Sequence, residues 1–251
     1  MPENRPFVLT IAGFDPSAGA GVLADIKTFE QHNVYGFAVN TGNTIQTEKE
    51  FFEMHWTDQA FVLRSLDKLF ENYSIKAVKI GIVPSLDYLN DIVFAIKKLS
   101  PKTKIVWDTV LKSTTEFSFI TIDNQAVLID ILEQIDLITP NYNEILQFST
   151  AEKNPELIAL ELSKQCAVLL KGGHNPLAIG VDFLYSGKEI FQLAPKNTLV
   201  FEKHGSGCVL SSAITANLAL GLDLKTACIN AKKYIETYLQ SNQTKLGYHH
   251  V

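Results

Sequence analysis

Short apolar runs alternate with longer stretches of helical spacing along nearly the whole chain, and that alternation leaves few folds open. Phe7 to Ala12 is an apolar run closed by Gly13, and Ala20 to His32 follows with helical spacing through Val22, Leu23, Ile26 and Phe29. The unit recurs as an extended Tyr35 to Ile45, a helix over Asp58 to Asn72, a strand Ala77 to Ile80 and a helix Leu86 to Leu99. Lys104 to Trp107 reads as a buried strand, Gln125 to Gln134 as a helix, Leu137 to Thr139 as a strand cut by Pro140, and Ala167 to Leu170 as a strand ending at Gly172-Gly173. Strands and helices in this order predict an α/β fold, a mostly parallel central sheet with helices on both faces.

The character changes between Ile179 and Phe201. Val181 to Tyr185 and Glu189 to Leu193, joined by Ser186-Gly187-Lys188, predict a β-hairpin over 181–193. Gly207 to Leu220 and Leu224 to Gln240 read as helices, with Gly221 ending the first. No linker, repeat or low-complexity tract interrupts the chain, so the expectation is one domain over 1–251.

Charge and cysteine content narrow the partners. Lys plus Arg number 22 against 27 Asp plus Glu, and without a basic run the electrostatic footprint of a nucleic-acid binder is missing. Cys166, Cys208 and Cys228 are too few and too scattered for a disulfide framework or a four-ligand zinc site; a reducing, cytoplasmic setting is expected. No basic leader precedes the first strand and no segment is continuously apolar for about 18 residues, so neither secretion nor a membrane span is expected.

The segment richest in chemistry is His204-Gly205-Ser206-Gly207-Cys208, which leads into a helical pattern on Leu210, Ala213, Ile214 and Leu218. Glycines allow close backbone approach, and a first helical turn offers unpaired N–H groups and partial positive charge. Such amides suit an anion, and a phosphoryl transition state carries its charge on equatorial oxygens. Cys208 lies in that first turn, where the helix field favours thiolate. The plainer alternative is that the glycines shape a helix entry and Cys208 is a small core residue.

Gly13-Phe14-Asp15-Pro16-Ser17-Ala18-Gly19-Ala20-Gly21 leads to Asp25 on the first helix. Gly19 to Ala24 formally matches the dinucleotide fingerprint G-x-G-x-x-A. The glycines come too late after the strand for that motif, and Gln46 stands where a ribose-binding carboxylate belongs. The loop suits a small polar substrate, or is a structural turn.

Thr139-Pro140-Asn141-Tyr142-Asn143-Glu144 ends a strand and opens the next helix. From there Glu144 could hold a hydrated Mg²⁺ and Asn141 could touch phosphate; alternatively the two form a helix cap. Asp108 and Lys171-Gly172-Gly173-His174 also come after strands, so several polar groups converge on the carboxyl edge of the sheet, where open parallel sheets bind ligands. There is no G-x-x-x-x-G-K-[ST], no zinc-type His or Cys pairing and no G-x-S-x-G elbow. His249-His250 reads as a solvated end.

Leu9 to Phe29, taken whole, resembles the opening of the hydroxymethylpyrimidine/phosphomethylpyrimidine kinases of thiamine biosynthesis. Leu137 to Glu144, Leu170 to His174 and His204 to Cys208 come in that family's order, so the resemblance covers nearly the whole chain. It implies a ribokinase-like fold and ATP with Mg²⁺ as cofactors. It implies an acceptor of the aminopyrimidine class, 4-amino-5-hydroxymethyl-2-methylpyrimidine or its monophosphate, and a homodimer. Carried over residue by residue, the amides of Gly205, Ser206, Gly207 and Cys208 form an anion hole, with Cys208 beside the attacking alcohol as base or as positioning group. Gly13, Asp25 and Gln46 fall on the substrate side. Asn141, Lys171 and Asp108 fall on the nucleotide side, Lys171 also near the transferred group, and Glu144 is the Mg²⁺ residue.

Two segments depart from the family pattern. The stretch after Asp108-Thr109-Val110 is abbreviated to Leu111-Lys112-Ser113-Thr114-Thr115, and Lys245 to His250 replaces a glycine-rich C-terminal motif. The expected activity is the first phosphorylation, followed by that of the monophosphate. Pyridoxal kinases share the fold, which makes B6 vitamers the rival substrates. A non-catalytic ligand-binding protein on the same fold is the rival of another class.

Overall fold

The structure, a computed structural model, describes residues 4–112, 118–175, 177–196 and 200–249. The Ser113, Thr114 and Thr115 end of the abbreviated loop lies outside the described residues, as does His250. The elements are β1 (Phe7–Phe14), α1 (Gly21–Gln31), β2 (Tyr35–Gln46), β3 (Phe51–Trp56), α2 (Gln59–Asn72), β4 (Ile75–Ile80), α3 (Leu86–Leu99), β5 (Lys104–Trp107), α4 (Gln125–Leu132), β6 (Leu137–Ile138), α5 (Pro155–Leu162), β7 (Ala167–Leu170), β8 (Asp182–Ser186), β9 (Glu189–Leu193), α6 (Ser206–Ala219) and α7 (Leu224–Gln240). Among the described residues the strands make one sheet in the order β3-β2-β1-β4-β5-β6-β7-β8-β9. The pairs from β2 through β7 are parallel, and β3, β8 and β9 join antiparallel.

Strand alternation sorts the side chains onto two faces. Leu9, Ile11, Val78, Ile80, Ile105, Trp107, Val168 and Leu170 pack with α2 to α5 in the larger core. Their neighbours Val8, Ala77, Val106, Ala167 and Leu169 turn to the face that carries α1, α6 and α7. Thr10 and Lys79 alternate onto that second face too, and both are fully buried there. The hairpin predicted over 181–193 forms as β8 and β9. Gly187, at φ +60, supplies the positive dihedral that a two-residue hairpin turn needs.

Two elements have no expected counterpart. β3 is half exposed and, among the described residues, pairs only with β2, so its sequence lacks the apolar run of a buried strand. α5 begins at Pro155, and the Asn154 side chain accepts from the amides of Glu156 and Leu157. Among the described residues no helix is long and apolar enough to cross a membrane.

Candidate active site

Because the strands from β2 to β7 run parallel, their carboxyl ends share one edge, and a cavity of about 1080 Å³ opens there. Gly13 near the end of β1 and Asp15 just after it, Gln46 at the end of β2, Lys79 on β4, Asp108 after β5, Asn141 and Glu144 after β6, Lys171 after β7, and Gly205 to Cys208 all line it. Residues spread over most of the sequence thus meet in one place.

Helix capping marks the part of the edge suited to an anion. α2, α3, α4, α5 and α7 each begin with a side chain that accepts from the first turn: Asp58, Ser85, Asn124, Asn154 and Asp223. α1 and α6 have no such side chain, their capping residues being Ala20 and Gly205. Both ends open on the cavity; at α1 the Ala20 and Gly21 amides bond to Asp15 and Cys208, whereas at α6 the Gly207 and Cys208 amides have no partner among the described residues, which leaves them and the positive end of the helix field for a ligand. At Gly205, φ is +72, and a β-carbon there would lie 2.0 Å from the Gly19 carbonyl oxygen. Only glycine fits that left-handed, backbone-to-backbone approach. Gly21 is constrained in the same way, at φ +60 with the Gly13 oxygen 2.1 Å from where a β-carbon would be.

Opposite the α6 terminus lies a linked set of charges. A β-carbon on Gly207 would sit 3.4 Å from Lys171 Nζ and 3.9 Å from each Asp108 carboxylate oxygen. Lys171 Nζ is 3.3 Å from Asp108 Oδ1 and 3.7 Å from Glu144 Oε2. Burial opposes charge on Lys171, yet Glu144 and Asp108 outweigh it and raise the ammonium above its usual range. Burial also opposes charge on Asp108, but Lys171 and Lys79 hold its carboxyl below the usual carboxylate range. Thr139 and Ser211 hydroxyls donate to it as well, at 3.1 and 3.2 Å. Glu144 goes the other way: burial raises it, with Lys171 only partly offsetting.

Asn141 and Glu144 form a reciprocal cap. Asn141 Oδ1 accepts from the amides of Asn143 and Glu144, and the Asn141 amide donates to Glu144 Oε2 at 2.8 Å. The plainer expectation for this pair is therefore met in its geometry, and both residues still line the cavity. In place of the expected helix, only a short 3-10 turn over Ile145–Phe148 follows this cap.

Two expectations need correction. Asp25 does not line the cavity: it is fully buried, and its carboxylate accepts from Thr10 Oγ1 (2.5 Å), Ser212 Oγ (2.6 Å) and Lys79 Nζ (2.9 Å). It supports the wall through Lys79, which does line the cavity. The helix terminus also does not make Cys208 a ready thiolate. Burial pushes its thiol up to about 12, Asp108 and Asp25 add to that, and Lys79 and a bond from the Gly21 amide offset only part.

Sequence reasoning missed Lys79, Asp15 and His204 as site residues. Lys79 had a signal, a lysine inside the apolar run Ala77 to Ile80. His204 Nε2 lies 2.9 Å from Asp15 Oδ2, a pairing across 189 positions that no local pattern encodes. Nor is His249 a solvated end: its Nδ1 is 3.0 Å from the Tyr234 hydroxyl and its ring centre 4.8 Å from that of Tyr238.

Comparison with known proteins agrees with this geometry. The family profile described as phosphomethylpyrimidine kinase matches residues 15–251. A hydroxymethylpyrimidine/phosphomethylpyrimidine kinase of Aquifex aeolicus is 34% identical over 250 residues, covering 95% of this chain and 96% of the relative. Among solved structures, the phosphomethylpyrimidine kinase of Clostridium difficile superposes with a TM-score of 0.77 at 33% identity, over 92% of this chain and 98% of that one. The ADP complex of Bacillus subtilis pyridoxal kinase gives 0.83 at 27% identity, over 97% and 96%. The fold is ribokinase-like, as the sequence resemblance implied. With the profile running from Asp15 to the last residue and such identity sustained over nearly the full length of a relative, the chain belongs to the phosphomethylpyrimidine kinase family.

Proposed function

We propose that this chain transfers the terminal phosphoryl group of ATP to the hydroxymethyl group of 4-amino-5-hydroxymethyl-2-methylpyrimidine, and then to the resulting monophosphate, in thiamine biosynthesis. The observation that carries the reading is the unguarded α6 terminus with Lys171 Nζ 3.4 Å from the Gly207 β-carbon position. Amides of Gly205 to Cys208 and the Lys171 ammonium converge where negative charge spreads during phosphoryl transfer. Gln46, on the β2 side of the same cavity, offers an amide that can pair with a ring nitrogen and an exocyclic amine of an aminopyrimidine. Cys208, being protonated, orients the alcohol rather than taking its proton, and a loose transition state asks little of a base.

The donor set fits Mg²⁺ arriving with the nucleotide. Mg²⁺ takes one or two carboxylates together with phosphate oxygens and water, and Glu144 offers a carboxylate at the cavity wall with Asp108 behind Lys171. The ion would neutralise charge on the phosphates. Asn141 lies on the same wall for phosphate contact. Three free thiols support the cytoplasmic reading. Exposed Ile45 and Phe52, on β2 and edge strand β3, support a homodimer, which light scattering of the purified chain would show as twice 27.9 kDa.

An ATP-consumption assay with hydroxymethylpyrimidine, its monophosphate, pyridoxine and pyridoxal tests the reading. Turnover highest on the pyrimidine supports it, and activity confined to the B6 vitamers replaces it with the alternative that the pyridoxal kinase likeness favours.

A further inference from the structure

His204 directly precedes the left-handed Gly205 that starts α6, and its side chain is only 10% exposed. Its backbone amide donates to the Lys245 carbonyl at 2.9 Å. Its ring covers Gly19, where a β-carbon would lie 2.7 Å from His204 Cδ2. Asp15, 2% exposed, accepts from the Ser17 amide (2.9 Å), the Ser17 hydroxyl (2.8 Å), the Ala20 amide (2.9 Å) and His204 Nε2 (2.9 Å). An ionised carboxylate only accepts, so Nε2 is the donor in this bond. Among the described residues His204 Nδ1 is buried without a hydrogen-bond partner.

The loop that Asp15 organises is itself strained. Ala18 has φ +57, a region that a side chain rarely adopts and that persists only where surrounding bonds over-determine it. The two loops joined by the pair are those that carry the unguarded termini of α1 and α6, and they touch backbone to backbone at Gly19 and Gly205.

We propose that Asp15 and His204 are positioning residues, a latch that holds the β1–α1 loop against the anion-binding turn. It fixes the distance between the acceptor side of the cavity, at Gly13 and Gly21, and the amides of Ser206 to Cys208. A reaction between two bound groups is sensitive to such spacing at the sub-ångström level. Only the kinetic consequence rests on the phosphoryl-transfer reading; the latch itself does not.

The test compares Asp15→Asn, His204→Gln, His204→Phe and the Asp15→Asn/His204→Phe double variant, all in the full-length chain. Amide hydrogen exchange in the ligand-free protein reads the latch across the gap. Asp15→Asn should speed exchange at Ser206 and Val209, which bond to the Lys203 and Gly205 carbonyls. His204→Phe should do so at Ala18 and Ala20. About tenfold faster exchange is expected in both, with His204→Gln, which keeps an N–H donor, near the unchanged chain. With ATP and hydroxymethylpyrimidine, kcat should fall about tenfold in the same two variants with KM shifted less than about threefold, and the double variant should be no slower than the worse single one. Unchanged exchange in both variants overturns the latch, and so does a double variant whose loss is the product of the two. If His204→Phe does not fold, Asp15→Asn alone decides through Ser206 and Val209. If the unchanged chain turns over no substrate, the phosphoryl-transfer reading fails while the exchange result still decides the latch.

Discussion

Lys79 Nζ sits 2.9 Å from Asp25 Oδ2, and neither side chain has any surface exposed to solvent. The pair joins β4 to α1 beneath the cavity, with Thr10 and Ser212 hydroxyls completing the carboxylate. Breaking a buried ion pair from one side strands the other charge, at a cost of about 3–5 kcal/mol. Asp25→Asn and Lys79→Met should each lower stability on that scale in urea denaturation. Losses below about 1 kcal/mol would mean that the site relaxes around the orphaned group.

Gly205→Ala should be the most damaging small substitution at the site. It puts a side chain at φ +72 and a β-carbon 2.0 Å from the Gly19 oxygen, so the turn must move and the α6 amides with it. Turnover should fall by about 10² or more, the scale of losing a charge-stabilising donor. A variant with near-normal kcat and intact fold would separate this turn from the chemistry.

Cys208, with its thiol pushed up to about 12, should react sluggishly with iodoacetamide. At pH 8 its rate should lie roughly 10³-fold below that of an ordinary thiol, since only thiolate reacts. Cys208→Ser should retain much of kcat and Cys208→Ala should lose about 10²-fold, the scale of misplacing a reacting group, because serine still orients an alcohol by hydrogen bonding. Equal losses in the two would point to sulfur-specific chemistry.

Gln46→Ala should weaken the aminopyrimidine and leave the nucleotide alone. Loss of a two-point amide contact should raise KM for the pyrimidine about tenfold or more while KM for ATP moves little. Parallel changes in both constants would place the ring elsewhere in the cavity.

His249 should make stability fall in mild acid. Burial drops its imidazole from 6.5 to about 4, so the folded chain binds fewer protons than the unfolded one between those values. The stabilisation is complete above pH 6.5 and is lost as pH falls toward 4; His32, lowered by burial too, acts in the same sense. The effect is at most about 3 kcal/mol and is reduced by partial exposure. Thermal melts of His249→Gln should show a flatter slope over pH 6.5 to 4, and an unchanged slope would assign the dependence to other groups.

The amino-acid order alone determined most of the scaffold and the chemistry-bearing turn. Apolar runs set β1, β4, β5 and β7, helical spacing set α1, α3, α6 and α7, and the glycines at 205 and 207 marked the entry to α6. These are local signals, because strand burial, helical periodicity and left-handed turns depend on neighbours a few positions apart. β3 escaped because a half-exposed edge strand needs no apolar run. Folding decided which polar groups face the cavity. Asp25 looked like a substrate contact until Lys79, 54 positions away, took its carboxylate, and burial reversed the ionisation that the helix terminus suggested for Cys208. Partners that far apart, and the desolvation that tunes them, exist only once the chain has closed on itself; the distance between Asp15 and His204 is of the same kind.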